Sequence, residues 1–198
     1  TEFFLIGFCP IGGVDSRYPI LSANQNPVWK RRLTEWGSRF PGRVWFYEYY
    51  RSYFSGYAEI TGIGSIRQKI GQDLRDLKEK IKGPGVISEL TPDSERKFSN
   101  HTMKSEWDAN TIGAWLIARL MWNPYQDLAR LEEQFFSRTY REAAPAMKKF
   151  YELLYKAWSD PARKTDKGYS IFQTPYEKVC FEALCEAENQ AQHPHSKI

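Results

Sequence analysis

The chain has 198 residues, 41% of them hydrophobic and 26% charged, and its 28 Lys and Arg against 24 Asp and Glu give a net charge of +4. This is the composition of a folded globular protein, which excludes a disordered chain, and no apolar run approaches the roughly 20 residues of a membrane-spanning helix. The positive excess is small and scattered, so neither a nucleic-acid partner nor a membrane span is expected.

Phe3 to Phe8 is a short apolar run closed by Cys9-Pro10 and Gly12-Gly13, a pattern that suits a strand buried on both faces. After a polar loop, Asn26-Pro27 supplies a helix cap and then the residue best tolerated in a first turn, with Val28, Leu33, Trp36 and Phe40 at near-helical spacing behind it. Pro41-Gly42 ends that helix. Val44 to Tyr50 is rich in β-branched and aromatic residues and reads as a second strand. Ser65 is placed to cap a helix whose Ile66, Ile70, Leu74, Leu77 and Ile81 form one apolar stripe, with Arg67, Lys69, Asp73, Arg75, Asp76 and Lys78 toward water.

Gly83-Pro84-Gly85 stops this helix, Val86 to Leu90 reads as a third and shorter strand, and a polar loop from Thr91 to Ser105 leads into a helix around Trp107 to Trp122. From Asn123 onward strand signals disappear. Asn123-Pro124 repeats the cap-then-proline start ahead of Leu128, Leu131 and Phe135; Met147, Phe150, Leu154 and Trp158 form another stripe, and Tyr176, Val179 and Leu184 a third. Residues 161–168, charged and poor in apolar side chains, read as an exposed loop between helices.

The strands begin about forty residues apart, each followed by a loop and a helix, which is the rhythm of parallel βα units. The expected fold is α/β, with about three βα units over residues 1–122 and a helical region over 123–198. A complete (β/α)8 barrel takes about 250 residues, so either the sheet is open or part of a barrel lies elsewhere. The entry straight into a strand after Thr1, and the helix still running near Ile198, are those expected of a piece of a larger protein. The odd number of cysteines (Cys9, Cys180 and Cys185) and their spacing match neither a disulfide framework nor a zinc or redox motif. No metal is expected.

In parallel α/β architectures chemistry gathers at the C-terminal ends of the strands. Two carboxylates stand there: Glu48, within Trp45-Phe46-Tyr47-Glu48-Tyr49-Tyr50, and Glu89, ending Val86-Ile87-Ser88-Glu89. A glutamate among apolar neighbours either finds an ionic partner or has its pKa pushed up toward the range useful for proton transfer. Taken singly, each is better explained by an ion pair with an arginine such as Arg17, Arg43 or Arg51. Taken together, a pair across a pocket is the apparatus of glycoside hydrolysis, one acid protonating the leaving oxygen while the other attacks or activates water.

The aromatic content supports this reading, with 7 Trp, 12 Tyr and 12 Phe, many of them beside turn residues. Trp and Tyr rings stack on the apolar faces of sugars. Trp45, Tyr47, Tyr49, Tyr50 and Trp107 are candidates to bind substrate, together with Tyr53 and Tyr57. Arg17, Asn100 and His101 would supply polar contacts. The glycine-rich Gly7 to Gly13 matches no nucleotide-binding fingerprint, so no cofactor is expected. Cys9 reads as a structural thiol rather than a nucleophile.

The series FCPIG (Phe8 to Gly12), VWFYEYY, GVISEL, AWLIARLMWNP (Ala114 to Pro124) and FFSRTYREAAPAMKKFYELL (Phe135 to Leu154) resembles the bacterial domain-of-unknown-function family 4838. The resemblance runs from about Phe3 to Trp158 and is most specific in the helical block with WNP. It implies the closing part of a glycoside-hydrolase-like (β/α)8 TIM-type barrel and the helices behind it, akin to α-glucuronidases and N-acetylhexosaminidases. The family's acid between aromatics falls on Glu48, and its glutamate after a Gly-Val-x-x strand on Glu89, although Leu90-Thr91 stands where relatives commonly have Gln-Gly. The implied function is hydrolysis of glycosidic bonds in polysaccharide by a parent protein that is secreted, periplasmic or at the cell surface. Its partners would be a carbohydrate substrate and the remainder of the parent barrel. The competing expectations are a non-catalytic glycan-binding module and a purely structural domain.

Overall fold

In the computed structural model, which describes residues 4–10, 18–48, 62–88, 96–98, 101–103, 106–159 and 176–193, the three strand-forming runs assemble as a parallel sheet. β1 (Ile6–Phe8), β2 (Val44–Glu48) and β3 (Val86–Ser88) lie side by side in chain order. Ile6 stands beside Val44, Phe8 beside Phe46, Phe46 beside Val86, and Tyr47 beside Ile87. Side chains alternate across a strand, so Phe8, Val44 and Phe46 share one face, where they pack with Leu33, Leu77 and Ile81 from the connecting helices. Both helices therefore cover the same side. The opposite face carries Gly7, Trp45, Tyr47 and Ile87, and Ile87 is 52% exposed, with Leu5 just before β1 at 64%. A first strand buried on both faces was the expectation. The difference is that the crossover helices close one side only.

α1 (Pro27–Arg39) starts as the sequence implies, with Asn26 Oδ1 accepting from the Val28 amide at 3.0 Å. Its stripe is narrower than expected, because Leu33 is buried while Val28 and Trp36 are exposed. The helix sits close on its neighbour at Gly37, where a Cβ would stand 2.9 Å from Ile81 Cγ2.

α2 (Gly62–Asp76) begins three residues ahead of Ser65 and continues as a π-wound turn over Leu77–Ile81. Lys82 closes it in the left-handed region (φ 58°), and the Gly83 amide donates to Leu77 O at 2.9 Å. The left-handed region costs a residue with a Cβ about 1 kcal/mol that glycine does not lose. Lys82→Gly, at an exposed position, is expected to raise unfolding stability by about that amount in urea titration.

Lys69, Asp73 and Asp76, read as facing water, are buried. A single apolar stripe implies one covered side, but α2 is covered on two. Ile70 and Leu74 belong to a second core with Ile112, Leu116 and Leu120 of α3 (Glu106–Trp122) and residues of the helices that follow. Between α2 and α3, the expected polar loop contains a short antiparallel hairpin, β4 (Arg96–Phe98) and β5 (His101–Met103). Strands of three residues are too short to display an alternating pattern.

α4 (Leu128–Thr139) is capped by Asp127, whose Oδ1 accepts from the Arg130 amide at 3.2 Å. The helix does not start at Pro124 as expected. Asn123 Oδ1 instead accepts from the Tyr125 amide at 3.0 Å, using the asparagine for a turn. α5 (Ala144–Ser159) and α6 (Tyr176–Gln190) complete the layer. α6 buries Cys180, Ala183 and Ala187, with Tyr176 and Leu184 of the expected stripe partly buried against the same core and Val179 exposed, so small residues form the centre of its packing face. Residues 161–168 lie outside the described ones. No helix among the described residues is long and apolar enough to cross a membrane.

Candidate functional site

Glu48 is the last residue of β2, at the strand end where parallel sheets place their chemistry. Strand alternation puts it in phase with Val44 and Phe46, on the side of the helices, and it is buried there. Lys69 of α2 reaches it: Nζ donates to Glu48 Oε1 at 3.0 Å and to Asp73 Oδ2 at 2.5 Å. Asp73 sits one helical turn beyond Lys69, and its Oδ1 accepts from the Ile20 backbone amide at 2.7 Å. One ammonium thus binds two carboxylates, and the cluster ties together the end of β2, the middle of α2 and the segment leading into α1.

Burial is the largest influence on Lys69 and favours its neutral form, but the charges of Asp73 and Glu48 outweigh it and hold the ammonium above its ordinary pKa. For Asp73 burial wins. It pushes the carboxyl up to about 6 against the opposing pull of Lys69, and the nearby Glu48 adds to the rise. The group is a brace with its lysine charged, and Asp73 titrates in it nearer neutrality than a free aspartate does. Among the described residues no set of three His, Cys, Asp or Glu side chains is arranged to hold a metal.

The other face of the sheet is aromatic. Trp45 and Tyr47 meet edge to face, with ring centroids 5.9 Å apart and planes at 66°. Trp45 lies over Gly7, where a Cβ would fall 2.6 Å from the indole Cζ2, so only glycine admits the ring in that position. Ile87, exposed, stands beside Tyr47, and the Trp45 and Tyr47 rings are half-buried. A wider hollow of about 770 Å³ along the outside of α1, at Thr34, Trp36 and Arg39, is away from the strand ends.

A family model described as Domain of unknown function (DUF4838) matches residues 2–152. The match takes in the whole parallel sheet, α1 to α4 and half of α5. The chain belongs to the DUF4838 family. No curated protein and no solved structure matches it. The matched stretch holds Glu48, Lys69 and Asp73, and Trp45 and Tyr47, so both the buried brace and the aromatic face fall within the DUF4838 domain.

Of the residues expected to form a site in this DUF4838 chain, Trp45 and Tyr47 are brought together, whereas Glu48 lies across the sheet from them. Its ionic partner is a lysine from the following helix rather than an arginine. Glu89, Tyr49, Tyr50, Tyr53, Tyr57, Arg17 and Asn100 lie outside the described residues, while His101 falls in β5 and Trp107 in the first turn of α3. Lys69 and Asp73 were missed as partners of Glu48. The signal available was a Lys and an Asp four residues apart, each next to a stripe residue (Ile70 and Leu74), and so at the edge of the apolar face.

Proposed function

We propose that this chain is the C-terminal portion of a (β/α)8-type barrel in a carbohydrate-active enzyme that hydrolyses glycosidic bonds. The observation that carries this reading is the one-sided winding of the sheet. Strands in chain order with their crossover helices on one face are how a barrel is wound, whereas a doubly wound sheet has helices on both. In a barrel the uncovered face looks inward, and here that face holds Trp45 and Tyr47. The remainder of the parent barrel would supply the other strands and close the wall. Hydrolysis by carboxylates needs no cofactor.

Within this reading the two glutamates take different parts. Glu89, next after β3 in sequence, is the proposed catalytic carboxylate on the sugar. Glu48, turned to the helices and held by Lys69, acts as a positioning residue for the strand end, and a carboxylate elsewhere in the barrel completes the pair. A polysaccharide substrate fits a parent that is secreted, periplasmic or at the cell surface.

The test is hydrolysis by the full-length parent of uronic-acid and N-acetylhexosamine glycosides. Glu89→Gln is expected to lower kcat about a thousandfold or more with an unchanged melting temperature. Trp45→Ala should raise KM about tenfold. Glu48→Gln should lower the melting temperature and, where still folded, change kcat less than about tenfold. Full activity in Glu89→Gln, or no hydrolysis of any glycoside, would reject the proposal. The second reading, a non-catalytic glycan-binding or structural domain, draws on the ion pair that occupies Glu48. It predicts quenching of Trp45 fluorescence by glycans without turnover.

A further inference from the structure

α2 presents Arg67, Gly71 and Arg75 at four-residue spacing, hence along one stripe of the helix. They line a cleft of about 290 Å³ whose other walls include Leu120 of α3, Leu128 of α4 and Pro19. We propose that this cleft binds a small carboxylate, its charged head against the two guanidinium groups and its apolar body against Leu120, Leu128 and Pro19. The inference stands apart from the hydrolase reading, because the cleft is on the helical side of the chain and uses none of the residues on the open sheet face.

Both arginines are oriented before any ligand arrives. Arg75 donates from Nη1 to Pro124 O at 3.0 Å and from Nη2 to Gln72 Oε1 at 3.2 Å. Arg67 is fixed by Glu132 Oε1, 2.9 Å from its Nε, and by the Tyr155 ring, 5.1 Å from its Cζ. The Glu132 contact is ionic, without hydrogen-bond geometry at Nε, and the Tyr155 ring lies against the face of the guanidinium. Glu132 neutralises one charge from behind, while no carboxylate is among the described lining residues, so the cleft itself keeps a positive excess.

Gly71 is the second observation. Glycine inside a helix is disfavoured relative to alanine, through backbone entropy and the lack of a side chain to pack. Here it lets the Arg75 guanidinium settle against the helix backbone at the cleft wall: a Cβ would stand 3.3 Å from Arg75 Nη1 and 3.9 Å from its Cζ. A planar carboxylate matches the fork of a guanidinium, and the volume suits a molecule of one ring rather than a chain or a polymer.

The experiment is calorimetric titration of the 198-residue chain at low ionic strength with benzoate, with its neutral isostere benzamide, and with inorganic phosphate. Benzoate is expected to bind in the millimolar range, about tenfold tighter than benzamide. Arg75→Gln should weaken benzoate about tenfold. Gly71→Ala, whose methyl would press on the Arg75 guanidinium, should weaken it similarly while leaving the melting temperature unchanged or higher, which separates displacement of that guanidinium from loss of the fold. Benzoate binding no tighter than benzamide, or unaltered in both variants, or weaker than phosphate, would overturn the proposal, as would no benzoate binding at tens of millimolar.

Discussion

Replacing Lys69 by methionine is expected to destabilise the chain by about 3–5 kcal/mol, the usual cost of removing one partner from a buried ion pair. Methionine keeps the unbranched stem and loses only the terminal ammonium, so the loss is chiefly electrostatic. Glu48 and Asp73 would face each other in a dry site without the ammonium between them, and the net charge of the cluster would change from −1 to −2. The comparison that isolates the cause is pH. Protonating the carboxylates removes their repulsion, so the variant should recover much of its deficit as the pH is lowered toward 5, measured by urea unfolding at each pH. A deficit of less than about 1 kcal/mol, or one insensitive to pH, would mean that the cluster contributes by shape rather than by charge.

The wild-type chain is expected to be more stable near pH 4.5 than near pH 7.5. The pKa of Asp73 rises from 3.8 in the open chain to about 6 in the fold. Between those values the native state keeps a proton that the unfolded chain releases, so stability falls as pH climbs through the window and levels off above it. The shift corresponds to about 3 kcal/mol across the window. Lys69 works in a different range: its raised pKa contributes stability that is fully present below 10.5 and lost above it.

Glu142 is held down to about 2, chiefly by the His193 amide, so its contribution is lost only below the ordinary carboxylate range. Glu132, raised by burial against the pull of Arg67, tilts the curve in the same sense as Asp73. Asp73→Asn keeps an oxygen for the Ile20 amide and should remove most of the slope, leaving the part due to Glu132. Equal slopes in wild type and variant would show that Asp73 is not the titrating group.

Much of the architecture was legible in the residues. The Asn26-Pro27 start of α1, the spacing of three strands with helices between them and the helical second half follow from capping, β-branched runs and periodicity, each of which acts locally. What could not be read depends on what lies opposite. α2 was assigned a wet side because one apolar stripe implies one neighbour, and a helix between two layers buries Lys69 and Asp73 beyond that stripe. α6 packs through Cys180, Ala183 and Ala187, residues too small to dominate a hydrophobic pattern. The aromatic face was recoverable from alternation alone, since Trp45 and Tyr47 are in phase with each other and out of phase with Val44, Phe46 and Glu48. The same alternation already separated Glu48 from the rings, but the ion pair that holds it depends on where α2 docks.

The hydrogen bond from the Ile20 amide to Asp73 joins positions 53 apart in the chain. A backbone group in the first βα connection therefore waits for a side chain two elements downstream. During synthesis, β1 and α1 can emerge before Asp73 does, and the Ile20 amide gains this partner only once α2 has followed and docked. The backbone at Ile20 is thus anchored by a contact remote in the chain.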